Sequence, residues 1–335
     1  MFRMKVESLQ CRSHAYNSRF LSVSGTYICA CLCSTCTGAD ASFMCFGQYA
    51  LLPDGLVPYS FQVAGHTNST RSGAALLHRP GIPIIYKSLC LDGRGQREAA
   101  FYREVYDSEA PETLRLLRNF VPQYIGVFHC LHFRELYLGL SDLFASLRRP
   151  NICDFKLGTV SYGPNATQPK ITHEESKYIW RRTLGFLLCG MQIHDSTQDT
   201  VFQPDKNFCR SIAPHEVLDK VILPFLGPDP DRLRYLSHSY VQIITNLLDW
   251  FEDQGSSYIL FCCTSLLLGH DAVDSPLDPS ATAKLVDFSH WIEVKEASVP
   301  NSPSAIRHDL FTGFAHGLRT LRGFLVEAVV VKSMD

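Results

Sequence analysis

No apolar run in the chain reaches the roughly 18 to 20 residues that a membrane-spanning helix requires, and the apolar stretch around Tyr27 to Leu32 is shorter than a usual signal-peptide core. A membrane span is therefore not expected. Charge of one sign is also lacking, because 31 Lys and Arg against 33 Asp and Glu leave a net charge of -2. No basic field points to nucleic acid, and any anion site has to come from a local cluster of Lys and Arg. The chain has no G-x-x-x-x-G-K-[ST] phosphate loop, no G-x-G-x-x-G and no H-R-D triplet, which removes the signatures of P-loop enzymes and ordinary protein kinases. Internal repeats and low-complexity tracts are absent too.

What remains is an ordinary globular composition: 335 residues, 46% apolar and 19% charged, enough for one large core or for two lobes sharing a cleft. The 13 cysteines do not read as a disulfide framework. Cys11, Cys29, Cys31, Cys33, Cys36 and Cys45 crowd the start, and no His or second Cys pair follows at zinc-finger spacing. Cys90, Cys130, Cys153, Cys189, Cys262 and Cys263 lie in apolar runs and read as small buried hydrophobes of a reducing compartment, cytoplasmic or nuclear. Residues 1–48 hold no long periodicity and end at the turn-rich Leu52-Pro53-Asp54-Gly55, so they read as a disordered extension and not a domain.

From Phe61 onward, short apolar runs separated by glycine read as antiparallel strands: Phe61 to Ala64, Ala74 to Leu77 and Pro83 to Leu89. Gln96 to Tyr106 shows helical spacing, and Tyr124 to Phe133 and Leu136 to Leu140 read as further strands. A first, strand-rich lobe over 49–143 is expected to end there. The second lobe, 144–335, is expected to be mixed and helix-rich. It has helices over His173 to Arg182, Pro214 to Phe225 and Asp231 to Phe251, and strands over Leu184 to Ile193, Tyr258 to Leu268 and Lys284 to Phe288. A final helix carries Leu310, Phe311, Phe314, Leu318, Leu321 and Phe324 on one face, and the Ser/Pro/Asp-rich loops Gly269 to Thr282 and Val294 to Ile306 are expected to be exposed and mobile. The fold class is α+β, two lobes around a cleft that suits a nucleotide.

Phosphoryl transfer needs a cation on the nucleotide phosphates, a carboxylate for a divalent metal, a placed hydroxyl and charge neutralisation. Lys87 ends a predicted strand and Glu98 opens the following helix, a pairing that would neutralise and aim the lysine. In Pro150-Asn151-Ile152-Cys153-Asp154-Phe155-Lys156-Leu157-Gly158, strand alternation puts Asp154 and Lys156 on one face, a carboxylate and a cation projecting together.

That segment fits P-x-x-x-D-x-K-x-G, and the chain resembles the inositol phosphate kinase family through it. The resemblance extends over most of Phe61 to Leu321. Gln62-Val63-Ala64-Gly65-His66 looks like the family's glycine turn over the nucleotide, Arg94-Gly95-Gln96-Arg97-Glu98 is similar to its substrate-facing Arg and helix, and Thr264-Ser265-Leu266-Leu267 and Val286-Asp287-Phe288-Ser289-His290 resemble two further segments. The resemblance implies a two-lobed kinase fold with ATP and Mg²⁺. Lys87 would meet the ATP phosphates, supported by Glu98, with Asp154 on the ribose side and the backbone of Ser141, Asp142 and Leu143 on the adenine. Asp287 would hold Mg²⁺. Arg94, Lys156, Lys170, Lys177, Lys206 and His290, with Arg210 nearby, would clamp the acceptor, and Lys87, Asp154, Lys156 and Asp287 would be the catalytic residues. Two departures stand out, Ser141 where the family often has Glu, and Cys209 where its G-R-S has Gly.

Only about 26 residues separate Lys156 from the strand beginning Leu184-Gly185-Phe186. That is too short for the large helical insertion of the trisphosphate 3-kinase branch, so the resemblance is nearest to the multikinase branch. It implies transfer from ATP to soluble inositol tris- and tetrakisphosphates by a monomer, with the hexakisphosphate kinase branch, or a catalytically silent scaffold, as the alternative readings.

Overall fold

The computed structural model describes residues 19–23, 26–30, 49–64, 76–89, 93–131, 135–163, 166–195, 199–272, 281–294 and 304–333. Gly65 and His66 of the expected glycine turn, Cys90, and most of the two Ser/Pro/Asp-rich loops lie outside the described residues. Within the N-terminal extension, β1 (Arg19–Val23) and β2 (Thr26–Ala30) pair as an antiparallel hairpin.

Six strands build the first sheet: β3 (Ala50–Leu51), β4 (Val57–Pro58), β5 (Leu77–His78), β6 (Ile84–Ser88), β7 (Tyr124–Cys130) and β8 (Glu135–Ser141), in the order β3-β7-β8-β6-β5-β4. Only the β3–β7 pair is parallel. Between β6 and β7 run α1 (Arg94–Tyr106) and the short α2 (Glu112–Leu117). Helix α1 buries Glu98, Ala99, Phe101, Tyr102 and Val105, a stripe at helical spacing. Phe61 to Ala64 is not a strand. Its Gln62 side chain accepts from Leu76 N–H at 2.9 Å and donates to Ala64 O at 3.0 Å, so an amide bridge holds the segment as a turn despite its apolar residues.

The chain crosses at Asp142 to Arg149 into β9 (Pro150–Leu157), followed by α3 (Gln168–Ser176), α4 (Arg181–Leu184), β10 (Phe186–Asp195), β11 (Thr200–Phe202), α5 (Lys206–Ser211), α6 (Leu223–Leu226), α7 (Pro230–Asp253), β12 (Ile259–Leu260), β13 (Ser265–Asp271), β14 (Thr282–Val286), β15 (Ile292–Glu293) and α8 (Ser304–Val331). The second sheet has the order β11-β10-β9-β13-β14, all antiparallel, with β9 at its centre. Helix α7 starts at a capping Asp229, whose carboxylate accepts from Arg232 N–H at 2.7 Å, with Pro230 in the first turn. Its buried Leu233, Leu236, Tyr240, Ile244, Leu247 and Phe251 recur every three or four residues, and the face packs on α8. Among the described residues no helix is long and apolar enough to cross a membrane.

Two expected elements are divided. The helix over His173 to Arg182 breaks at Lys177, where Tyr178 turns inward and its hydroxyl donates to Ile212 O at 2.6 Å. The strand over Tyr258 to Leu268 splits into β12 and β13 around Cys263, which has a φ of 61°. Cys209 is helical and buried in α5 and is not among the described residues with positive φ, so the departure from glycine there costs no backbone strain.

Candidate active site

Lys87 lies on β6, with its neighbour Tyr86 buried on the opposite face. Its Nζ is 2.8 Å from Glu98 Oε2 and also meets Asp287 Oδ1, which joins the two lobes through one ammonium. Glu98 is buried on α1, and burial pushes its carboxyl up, with Lys87 pulling the other way. For Lys87, burial favours the neutral form but Asp287 and Glu98 more than offset it, so the ammonium is held charged. Burial opposes ionisation of Asp287 as well, and Lys87 wins, keeping that carboxyl below its ordinary value.

Asp287 follows β14 directly and adopts a φ of 64°, left-handed backbone that Asp tolerates better than most residues. The turn that fixes it is anchored on α1. Phe288 stacks on Phe101 with ring centroids 3.8 Å apart, Trp291 Nε1 donates to Arg97 O at 3.0 Å, and Arg97 Nη2 donates to Trp291 O at 2.7 Å. An unusual backbone conformation held by surrounding structure is a common mark of a functional residue.

On β9, Asp154 and Lys156 share one face, as alternation requires. Asp154 is buried and its Oδ1 has no hydrogen-bond partner among the described residues. Burial, and then the nearby Asp287 carboxylate, push its pKa up to about 6 against a Ser265 hydrogen bond and the Lys156 and Lys87 charges. Opposite it on β10 stands Gly190, where a Cβ would come within 2.0 Å of Val63 O. The missing side chain lets the Gln62 to Ala64 turn close over the Asp154 face. Burial would lower the Lys156 pKa, but Cys189, Cys263, Asp287 and Asp154 around it raise it and hold it charged. Asp287 offers hard oxygens at the cleft, with its side chain 45% exposed. That donor set suits a divalent cation shared with phosphate oxygens.

At the crossing between the lobes, Ser141 N–H donates to Gln123 O and Asp142 N–H to Pro83 O, each at 2.9 Å. Asp142 Oδ1 accepts from Tyr59 OH and, at 2.9 Å, from Phe144 N–H. Ser141 and Asp142 thus spend their N–H groups internally, whereas Leu143 N–H has no partner among the described residues. Of the three, Leu143 is the backbone donor open to a base.

The expected acceptor cations fall into two groups. Burial lowers the His290 pKa, and Arg94, Lys156, Arg97 and Lys170 lower it further, so these cations face a common space. Lys170 and Lys177, four and three residues from Glu174, both bond its Oε1, Lys177 at 2.8 Å. Burial would raise the Glu174 carboxyl, yet the two ammonium groups bring it to about 2. Lys206 is exposed at the start of α5, and Arg210 is exposed at its end. Sequence reasoning missed Glu174, Gly190 and Arg181. Glu174 was legible as the carboxylate at i+4 from Lys170 and i−3 from Lys177, while the other two depend on tertiary contacts.

Residues 137–325 match the family model described as inositol polyphosphate kinase, more than half of the chain. The chain is 32% identical over 236 residues to the human inositol polyphosphate multikinase, covering 70% of this chain and 55% of that protein. With the rice inositol polyphosphate multikinase it shares 25% over 306 residues, covering 84% and 98%. The chain spans about half the length of the curated mammalian relatives it matches. In fold it is similar to the S. cerevisiae inositol phosphate multikinase solved in complex with ADP and Mn²⁺, with a TM-score of 0.54 and 21% identity, covering 73% of this chain and 98% of that one. Its two-lobed α+β architecture is that of this neighbour, and the chain belongs to the inositol polyphosphate kinase family.

Proposed function

We propose that the chain is an ATP-dependent kinase of the multikinase type, which phosphorylates soluble inositol tris- and tetrakisphosphates at ring hydroxyls with Mg²⁺ as the metal. The observation that carries this reading is the meeting of Lys87, Glu98 and Asp287 beside the buried Asp154, whose Oδ1 has no hydrogen-bond partner among the described residues, with a cluster of cations next to them. The named relatives are multikinases, and α3 and α4 form the short segment that such an enzyme would place over its acceptor.

The nucleotide end works by fixed charge. Glu98 aims Lys87 at the β- and γ-phosphates, Leu143 N–H receives the base, and Asp154 accepts from a ribose hydroxyl, which satisfies its orphaned oxygen. Asp287 holds the divalent cation, which when bound neutralises phosphate charge. At the other end Arg94, Lys170 and Lys177 hold the acceptor phosphates, and His290 faces the ring. Lys156 lies between the two ends, where it stabilises negative charge on the group in transit. The two substrates are positioned, and little covalent work is asked of the protein.

Incubation of the full chain with ATP, Mg²⁺ and a panel of inositol phosphates, followed by separation of the products, tests the reading. Phosphorylation of at least a tris- or tetrakisphosphate is expected. Binding without turnover across the whole panel would replace the kinase with a scaffold.

A further inference from the structure

Three thiols and a buried guanidinium gather around Lys156. In β10, Leu188 pairs with Phe155 and Gly190 with Asp154, so Cys189 is the extra residue of a bulge, a device that re-aims a side chain. On the other flank of β9, Ser265 pairs with Lys156, and Leu157 N–H donates to Thr264 O at 2.9 Å. Cys263 comes just before, at a φ of 61°, where few residues other than glycine settle. Its Sγ lies 3.8 Å from that of Cys262 and 3.2 Å from Ser161 O. Cys262 is 1% exposed, whereas Cys263 is only half-buried.

Arg181 closes this group from α4. It is 6% exposed, its Nη2 donates to Leu157 O at 3.2 Å and Val160 O at 3.5 Å, and its Nε has no partner among the described residues. Cys263 and Arg181 are therefore anchored on one turn, residues 157–161. Among the described residues no carboxylate forms an ion pair with Arg181, and a guanidinium cannot shed its proton to escape burial. Such a charge favours an anion beside it, and the thiols of Cys263, Cys189 and Cys262 are the groups that act on it most strongly after burial itself. The Cys263 thiol is drawn down to about 6, first by the Cys262 hydrogen bond and then by Lys156 and Arg181, against burial and the Glu174 carboxylate. As a thiol it donates to Ser161 O, so its proton is held by a carbonyl and contested by two cations.

We propose that Cys263 is a reactive thiol built into the acceptor side of the site, and that its oxidation by a peroxide or alkylation by a soft electrophile blocks acceptor binding and leaves the nucleotide end open. In the peroxide reaction the thiolate sulfur attacks one peroxide oxygen. The S–O bond forms as the O–O bond breaks, sulfur is oxidised to the sulfenic acid, and the second oxygen leaves as hydroxide. The reactivity stands on the groups packed around Cys263 whatever the chain does, while the block on the acceptor rests on the kinase reading.

The test is timed labelling of the full, unmutated chain at neutral pH with iodoacetamide, and separately with hydrogen peroxide plus dimedone, mapped by peptide mass spectrometry. Cys263 is expected to react at least about ten times faster than Cys130, a buried thiol of the first sheet, since thiolate fraction and access together set the rate. Inositol trisphosphate should slow Cys263 labelling several-fold and ATP alone should not, and Lys156→Met should slow it about three-fold or more. A Cys263 rate equal to that of Cys130 overturns the proposal. Fast labelling without trisphosphate protection, in a preparation that phosphorylates the trisphosphate, overturns its acceptor-side placement. Fast labelling in a preparation that phosphorylates no inositol phosphate overturns the kinase reading and the acceptor block, and upholds the reactive thiol.

Discussion

The two ends of the cleft use the same side chains in opposite proportion. At one end a single ammonium, Lys87, is shared by the carboxylates of Glu98 and Asp287, with Asp154 close behind. At the other a single carboxylate, Glu174, is shared by Lys170 and Lys177, with Arg94, Lys156 and Arg97 facing His290. The first arrangement carries surplus negative charge and suits a cation. The second carries surplus positive charge and suits a polyphosphate. A near-neutral chain can thus hold two sharply different fields, because β9 delivers Asp154 and Lys156 from one face to the boundary between them. Net charge is silent about this, and only the local groupings of residues carry it.

The comparison breaks most visibly at Asp287. Asp287→Asn keeps the shape, and Asn also tolerates left-handed backbone, so the fold should persist while the charge that recruits the metal is lost. Turnover is expected to fall by about a thousand-fold or more, checked by product formation, with a thermal melt to show that the protein remains folded. Near-normal turnover in the folded variant would remove Asp287 from the metal site.

At the positive end the effect is smaller and changes a different constant. A charge-assisted contact to phosphate is worth about 1.5 to 3 kcal/mol, and because the Lys170 side chain is 53% exposed the lower figure applies. Lys170→Ala is expected to raise the acceptor KM by about ten-fold and to leave the ATP KM nearly unchanged. Lys87→Ala should do the reverse or lower turnover. Steady-state kinetics with one substrate varied at a time separates the two ends, and equal shifts in both constants would mean that the charge division is not functional.

Stability offers a finer contrast. Asp154 titrates near pH 6 in the fold against about 3.9 in a free chain, so the folded state binds that proton more tightly, and stability contributed by the protonated form is lost as pH rises towards 6. Glu174 runs the other way: it titrates near 2 against 4.5, so its contribution is present above pH 4.5 and is lost as pH falls towards 2. Asp154→Asn should therefore raise the melting temperature at pH 7 by a few degrees without ligand. Glu174→Gln should lower it and flatten the acid limb of the pH–stability curve. Melts across pH 2 to 7 check both, and a destabilised Asp154→Asn would show that the Ser265 hydrogen bond and the Lys156 and Lys87 charges outweigh the burial of the ionised carboxylate.

Much of this division was legible in the order of residues. Asp154-x-Lys156 read as a shared strand face and proved to be one, and Lys87 and Glu98 read as a pair and meet at 2.8 Å. Local alternation and strand-to-helix spacing are properties a sequence carries directly. Phe61 to Ala64 was misread because apolar content signals burial without saying what backbone delivers it, and the Gln62 amide decides for a turn. Gly190 looks like any glycine until Val63 is placed upon it, and Arg181 like any surface charge until it is found buried under the Leu157 to Val160 turn. These depend on contacts between segments far apart in sequence, which no local pattern encodes.

The smallest effect is expected where the charge contrast has no members. Strand β3 begins at Ala50 and pairs with β7 at one edge of the first sheet, and Lys87 stands on β6, with β7 and β8 between them. Tyr49, which with Tyr124 acts on Arg103 of α1, survives a cut after residue 48. All the residues assigned to either end of the cleft lie beyond that point, so removing residues 1–48 takes away neither surplus charge nor a strand of either large sheet. The acceptor and ATP KM values of the shortened chain should stay within about two-fold of the full chain, below 1 kcal/mol in either interaction. Melting curves measured alongside separate a lost fold from a lost contact. A rise of ten-fold or more in the acceptor KM, in a chain that still melts cooperatively at the same temperature, would mean that the extension reaches the positive end and contributes cations of its own, Arg3, Lys5, Arg12 and Arg19 being the ones available.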